Sequence, residues 1–133
     1  MDYVKSYRDL EVYKLSRKLS LEIFELTNNF PKEEKYSLTD QIRRSSRPVG
    51  AQIAESWAKR KYEKHFISKL TDADGEQLET QHWIETSFDC KYISQEISCY
   101  FCEKYALVGK MLFSMIAKAD KFCNNPKLIT DNR

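Results

Sequence analysis

Glycine and proline are scarce in this chain, three of each among 133 residues. So little turn chemistry argues against a protein of many short strands. Histidine is scarcer still, at two residues, which leaves few metal ligands or general bases of that type. No stretch approaches the roughly 20 apolar residues of a membrane span. The opening MDYVKSYRDL is charged from its second residue and lacks the apolar segment of a signal peptide. Four cysteines without an export signal read as reduced thiols, so a cytoplasmic location is expected.

What is present fits a helical domain with a real core. Hydrophobic residues make up 41% and charged residues 32%, and 7 Phe, 8 Tyr and 2 Trp supply more apolar bulk than a disordered chain carries. The length suits one domain, expected over residues 1–123, with 124–133 as a flexible tail. Neither an internal repeat nor a low-complexity segment is present.

Periodicity divides the chain into four helices. Val12, Leu15, Leu19, Ile23, Leu26 and Phe30 step by three or four, after a Ser6–Asp9 variant of the capping box and before Asn28, Asn29 and Pro31. A second helix is expected from Ser37 or Thr39, with Leu38, Ile42, Val49, Ile53 and Trp57 on one face. Pro48 should kink or locally break it. A third should run from about Tyr62 to Asp89, burying Phe66, Leu70, Ala73, Gln77, Ile84 and Phe88, with Leu78 and Trp83 widening the stripe. Cys90–Ser94 makes the next turn, with Ser94 as N-cap. The fourth carries Ile97, Phe101, Val108, Leu112, Met115, Ala119 and Phe122, flanked by Leu107, Met111 and Ile116, and stops at Asn124, Asn125 and Pro126. Short connections between long helices force antiparallel neighbours, so the expected fold is all-α: an antiparallel up-down four-helix bundle with its second helix kinked near Pro48.

Catalytic and metal signatures are weak. Glu79 and His82 form a Glu-x-x-His pair, but a di-iron bundle needs a second such pair and two further glutamates. Cys99 and Cys102 form a C-x-x-C with no second pair at zinc-site spacing. DADGE at 72–76 lacks the ligand spacing of a calcium loop. Gly109–Lys110 lacks the upstream glycine of a phosphate loop. No cofactor motif is present, and a non-enzymatic protein is expected.

Charge carries the remaining signal. The formal net charge is +2, yet residues 43–70 hold +6 and residues 71–103 hold −7. The basic segment contains Arg43, Arg44, Arg47, Lys59, Arg60, Lys61, Lys64 and Lys69 among small residues. Its first seven cations are the candidate nucleic-acid-binding residues, since arginine grips phosphate bidentately and each neutralised phosphate releases counterions. The plainer reading pairs these cations with the acidic third helix, in the same chain or a neighbour.

The stretch from Asp9 to Trp57 resembles a known family. Its pattern reads Asp9, Leu10, Val12, Tyr13, then Phe30, Pro31, Glu33, Glu34, Tyr36, Leu38, Gln41, Ile42, Arg43, Arg44, and finally Ile53, Ala54 and Glu55. This is similar to the four-helix-bundle proteins, also called 23S ribosomal RNA intervening-sequence proteins, with a looser likeness to about residue 120. The family name records where some of its genes lie, not an activity. Its relatives include the accessory variability protein of diversity-generating retroelements, a basic homopentamer that binds nucleic acid and a reverse transcriptase. The resemblance therefore implies a four-helix protomer, a homo-oligomer with a pentamer favoured, RNA or DNA as ligand, and a reverse transcriptase or other protein as partner. The chain departs from the pattern at Gln52 and Ser56, where many members have Asn and Gly. Its acidic third helix also breaks a uniformly positive surface. The alternative expectation is an oligomeric interaction scaffold with no nucleic-acid role.

Overall fold

The computed structural model describes residues 4–123. The expected tail and the Asn124–Pro126 stop lie outside them. Four long helices dominate: α1 (Glu11–Thr27), α2 (Leu38–Ala58), α3 (Glu63–Asp89) and α4 (Gln95–Ala117), followed by a short α5 (Ala119–Cys123). Each long helix packs on its neighbours in sequence, and α1 closes the ring onto α4, while the backbones of the diagonal pairs stay apart. Cross-helix partners fix the antiparallel sense: Ser45 meets Thr80, Gln52 meets Lys69, and Glu22 meets Tyr100. The expected four-helix bundle is the observed fold.

The core is a column of aliphatic side chains, with Leu19, Ile23, Ile42, Val49, Ile53, Leu70, Ile84 and Leu112 fully buried. Between them lie buried hydroxyls at Ser16, Thr27, Ser45, Ser56, Thr80 and Ser87. Each hydroxyl bonds a carbonyl of its own helix, as Ser16 does with Tyr13 at 2.8 Å and Ser87 with Trp83 at 2.8 Å. A small side chain whose polar atom is satisfied locally lets a neighbouring helix approach. Gly50 takes this furthest, since a methyl group there would stand 3.2 Å from the Ser16 hydroxyl oxygen on α1.

Helix ends differ from expectation in instructive ways. Ser6 caps a single 3-10 turn, Tyr7–Asp9, rather than α1, its hydroxyl oxygen accepting from the Arg8 N–H. The N-cap of α1 is Leu10, which makes no side-chain cap. Ser37 stands at the N-cap of α2, but Glu34 caps it in Ser37's place. One Glu34 carboxylate oxygen accepts from the Leu38 N–H at 3.3 Å and from the Ser37 hydroxyl, and the other accepts from the Tyr92 hydroxyl at 2.8 Å. Ser94 caps α4 as expected, accepting from the Ile97 N–H at 3.1 Å.

Pro48 does not break α2, which continues from Leu38 to Ala58. The fourth helix is interrupted at Lys118, and α5 folds Phe122 against Trp57 and Phe66 to close that end of the bundle. The apolar stripes differ in part from expectation. Phe88, Leu78, Ile97 and Leu107 are exposed, whereas Thr80, Ser87 and Tyr105 point inward. Burial pushes the Tyr105 phenol upward from its ordinary value. Among the described residues no helix is long and apolar enough to cross a membrane.

Candidate nucleic-acid interface

Antiparallel packing of α1 on α2 brings basic side chains from both helices and their connection to one face. A groove of about 550 Å³ is lined by Lys35, Arg43, Arg44 and Arg47, with Tyr36 on its wall and Asp40 as its one carboxylate. A second groove of about 460 Å³ continues it through the shared Arg47 to Arg17 and Lys18, over Leu21 and Phe24. Six cations thus line one continuous surface against a single acid.

The three arginines of α2 play different parts. Arg43 turns back onto the C-terminus of α1. Its Nε donates to the Thr27 hydroxyl oxygen at 2.8 Å, and its Nη2 to the Phe24 carbonyl at 3.3 Å and the Asn28 side-chain oxygen at 3.1 Å. The guanidinium lies 4.7 Å from the centre of the Phe24 ring. A cation there adds a donor to a carbonyl of the last turn, which the Asn28 N–H and the Thr27 hydroxyl already serve, and complements the helix dipole. Arg44 projects outward with its side chain 75% exposed, and reaches only Asp40, at 4.0 Å. Arg47 is exposed, with its guanidinium 5.7 Å from the centre of the same Phe24 ring. Arg44 and Arg47 are therefore the α2 arginines presented to a ligand, with Arg43 positioned behind them.

The second half of the candidate set sits elsewhere. Lys59, Arg60, Lys61 and Lys64 follow Arg47 by at least 12 positions, about 18 Å along a helix, at the α2–α3 junction. Lys59, Lys61 and Lys64 are exposed. Arg60 is not on the surface: it is 5% exposed, its guanidinium stacks 3.6 Å from the centre of the Trp57 ring, and its Nε donates to the Trp57 carbonyl at 2.8 Å. One basic block in sequence becomes two separated groups in space, with one member inside.

Among the described residues the acidic third helix forms no ion pair with Arg43, Arg44, Arg47, Lys59, Lys61 or Lys64. Among the described residues, the ion pair that joins α2 to α3 is Lys69–Glu55 at 2.8 Å, with the base on α3 and the acid on α2. The Glu55 carboxylate, as hydrogen-bond partner, raises the Lys69 pKa. On α3 itself, partial burial and then the neighbouring Glu79 and Asp72 charges raise the Glu76 carboxyl. Glu79 accepts from the Trp83 indole N–H at 3.1 Å, and His82 lies edge-on to that ring. No group of three or more potential ligands assembles among the described residues.

Sequence reasoning missed Arg17, Lys18, Lys35 and Tyr36 as part of this surface. They lie outside the basic block, and only the α1–α2 register unites them with it. That register was within reach, because Gly50 and Ser16 are the small pair on facing stripes, and pairing them sets Arg17 near Arg47.

The family described as 23S rRNA-intervening sequence protein matches residues 8–114. Among solved structures, the chain is similar to a protein of unknown function from the S23 ribosomal protein family of Bacteroides thetaiotaomicron. The two share 28% identity with a TM-score of 0.71, over 80% of this chain and 95% of the other. A search of the curated proteins finds no match.

Proposed function

Because the chain belongs to the family of 23S rRNA-intervening sequence proteins, a membership that brings a fold and no activity, we propose that it is a nucleic-acid-binding accessory protein. It holds the phosphate backbone of RNA or DNA in the α1–α2 groove. The observation that carries this reading is the excess of positive charge: Arg44, Arg47, Arg17, Lys18 and Lys35 line a continuous groove opposed by Asp40 alone. Arg43 sets the floor of the groove by fixing α1 against α2. Backbone contacts of this kind position a nucleic acid without reading its sequence.

Anisotropy of a labelled oligonucleotide across a salt series tests it. Five phosphate contacts to a single strand give a slope of about −3.5 in log K against log salt, and Arg44→Glu with Arg47→Glu lowers its magnitude to about 2. Asp40→Asn should tighten binding, because it removes the one opposing charge. Absence of binding at low salt, or indifference to both reversals, refutes the proposal.

A second reading, self-association, is favoured by a separate groove between α1 and α4. It is about 480 Å³ and presents Glu22, Glu25 and Glu96 around Leu26, Ile97 and Tyr100. Its acid-and-apolar character complements the basic α1–α2 groove of another copy, a head-to-tail contact of the kind that builds a ring when its rotation closes and a filament when it does not. Light scattering that shows a monomer for the wild type refutes it.

A further inference from the structure

The α1–α2 surface holds an aromatic side chain that phosphate binding does not use. Tyr36 is 85% exposed, the most exposed large apolar side chain among the described residues, and it forms the wall of the basic groove beside Lys35. It precedes the α2 N-cap, Ser37, and so lies just outside the helix that carries Asp40, Arg44 and Arg47. Asp40 to Arg47 spans about 10 Å of helix axis, and all four residues line the same groove. The Lys35 ammonium lies 5.3 Å from the centre of the Tyr36 ring. Nothing in the core needs this ring, since Phe30 and Leu38 on either side of the connection fill that end of the bundle. A single exposed tyrosine is ordinary on a protein surface. One placed on the wall of a cation-lined groove combines the two elements of a single-strand site: a charged track for phosphates and a ring face for a base.

On the premise that the groove binds nucleic acid, we infer that its ligand is single-stranded, with a base stacked on Tyr36 while Arg44 and Arg47 hold the phosphates that follow. A duplex keeps its bases stacked within the helix and offers Tyr36 no base face, so the ring would add nothing to duplex binding. A single strand bends its bases away from the backbone and gains both contacts together. The Phe24 ring competes poorly for this role, because it is 38% exposed and carries two guanidinium groups, at 4.7 Å and 5.7 Å, whereas Tyr36 is 85% exposed and carries the Lys35 ammonium alone.

Three labelled probes separate the contributions: a mixed-sequence single strand, an abasic strand with the same phosphates, and a duplex of equal length. The wild type should prefer the base-bearing strand over the other two. Tyr36→Ala should weaken that binding by about 5-fold to 150-fold, the range of one base–aromatic stack, and leave the abasic strand unchanged. Tyr36→Phe should retain wild-type affinity, since the ring and not the hydroxyl stacks. Equal affinity for the base-bearing and abasic strands, or for the duplex, overturns the stacking inference while phosphate binding stands. Stacking is likewise overturned if Tyr36→Ala weakens all three probes alike. If no probe binds at low salt, both readings fall. If Tyr36→Ala instead lowers the assembly mass in light scattering, the ring belongs to a contact between copies and the inference is overturned.

Discussion

Arg43 and Arg44 are adjacent arginines whose replacement should have very different consequences for stability. Truncation of Arg43 to alanine removes the bond from Nε to the Thr27 hydroxyl oxygen at 2.8 Å and two more exposed bonds to the end of α1, at 3.3 Å and 3.1 Å. The partly buried charged bond contributes about 1.5 kcal/mol and the exposed pair about 0.5 kcal/mol together. Loss of a cation from a helix C-terminus adds about 0.5 kcal/mol. The expected cost is therefore about 2–3 kcal/mol, or a fall in Tm of roughly 10 °C for a domain of this size. Arg44→Ala loses only a contact to Asp40 at 4.0 Å from a side chain that is 75% exposed. That should change stability by no more than about 0.5 kcal/mol. Arg43→Lys keeps the charge without the planar fork and should fall between the two. Urea denaturation followed by far-UV circular dichroism measures all three. Equal midpoints for Arg43→Ala and Arg44→Ala would refute the assignment of Arg43 to α1.

The Glu34 carboxyl is held below its ordinary value first by the Ser37 hydroxyl, then by the Tyr92 hydroxyl and the Leu38 N–H. A depressed carboxyl stabilises the fold above its unfolded pKa, near 4.5, and that stabilisation is lost as pH falls through the folded value. Urea midpoints should therefore drop more on acidification for the wild type than for Glu34→Gln, and parallel curves would count against the cap. Tyr92 is the reciprocal case, pushed up to about 12 chiefly by its bond to Glu34. Its contribution is complete below its ordinary 10.0 and is lost as pH rises toward about 12, so Tyr92→Phe should flatten that alkaline limb. The glycines of α3 and α4 should respond in opposite senses. A methyl group at Gly75 meets nothing within 4 Å, so Gly75→Ala should stabilise by about 1 kcal/mol. At Gly109 it would stand 2.7 Å from the Gln77 amide nitrogen, which is buried and bonded to Asp74. Gly109→Ala should consequently destabilise by about 1 kcal/mol once the propensity gain is offset. Calorimetric Tm shifts of the same sign would contradict that pair.

The four long helices and their sense were legible because long stripes at helical spacing leave few alternatives, although the stripe from Ile97 to Phe122 gave no sign of the interruption at Lys118. The α3 limits, expected at about Tyr62 to Asp89, are Glu63–Asp89 in the structure. Detail failed where residue type and position disagree. Leu78 and Phe88 are apolar and face outward, while Thr80 and Ser87 are polar and face inward, because a hydroxyl that bonds its own helix is a cheap way to admit a neighbour. The candidate site was legible only in part for a different reason. A charge run is contiguous in sequence, whereas a surface is assembled across helices. The run from Arg43 to Lys64 splits at the α2 C-terminus, loses Arg60 to a stack on Trp57, and gains Arg17, Lys18 and Lys35 from outside it.

The residues through which the chain resembles its family mostly describe one helix junction. Phe30, Leu38 and Ile42 fill the core there, Glu34 caps α2 and holds the α3–α4 turn through Tyr92, and Arg43 closes the end of α1. Folding alone accounts for these. Tyr36 and Arg44 sit in the same run, yet neither buries a surface nor satisfies a backbone group of the bundle, and Arg44 reaches only a carboxylate at 4.0 Å. Paired substitution isolates the difference: Tyr36→Ala with Arg44→Ala should leave the stability from urea denaturation within about 0.5 kcal/mol of the wild type while weakening single-strand binding by more than either substitution alone. A double variant that unfolds early would return both residues to the architecture and leave Arg17, Lys18, Lys35 and Arg47 as the groove's remaining phosphate contacts.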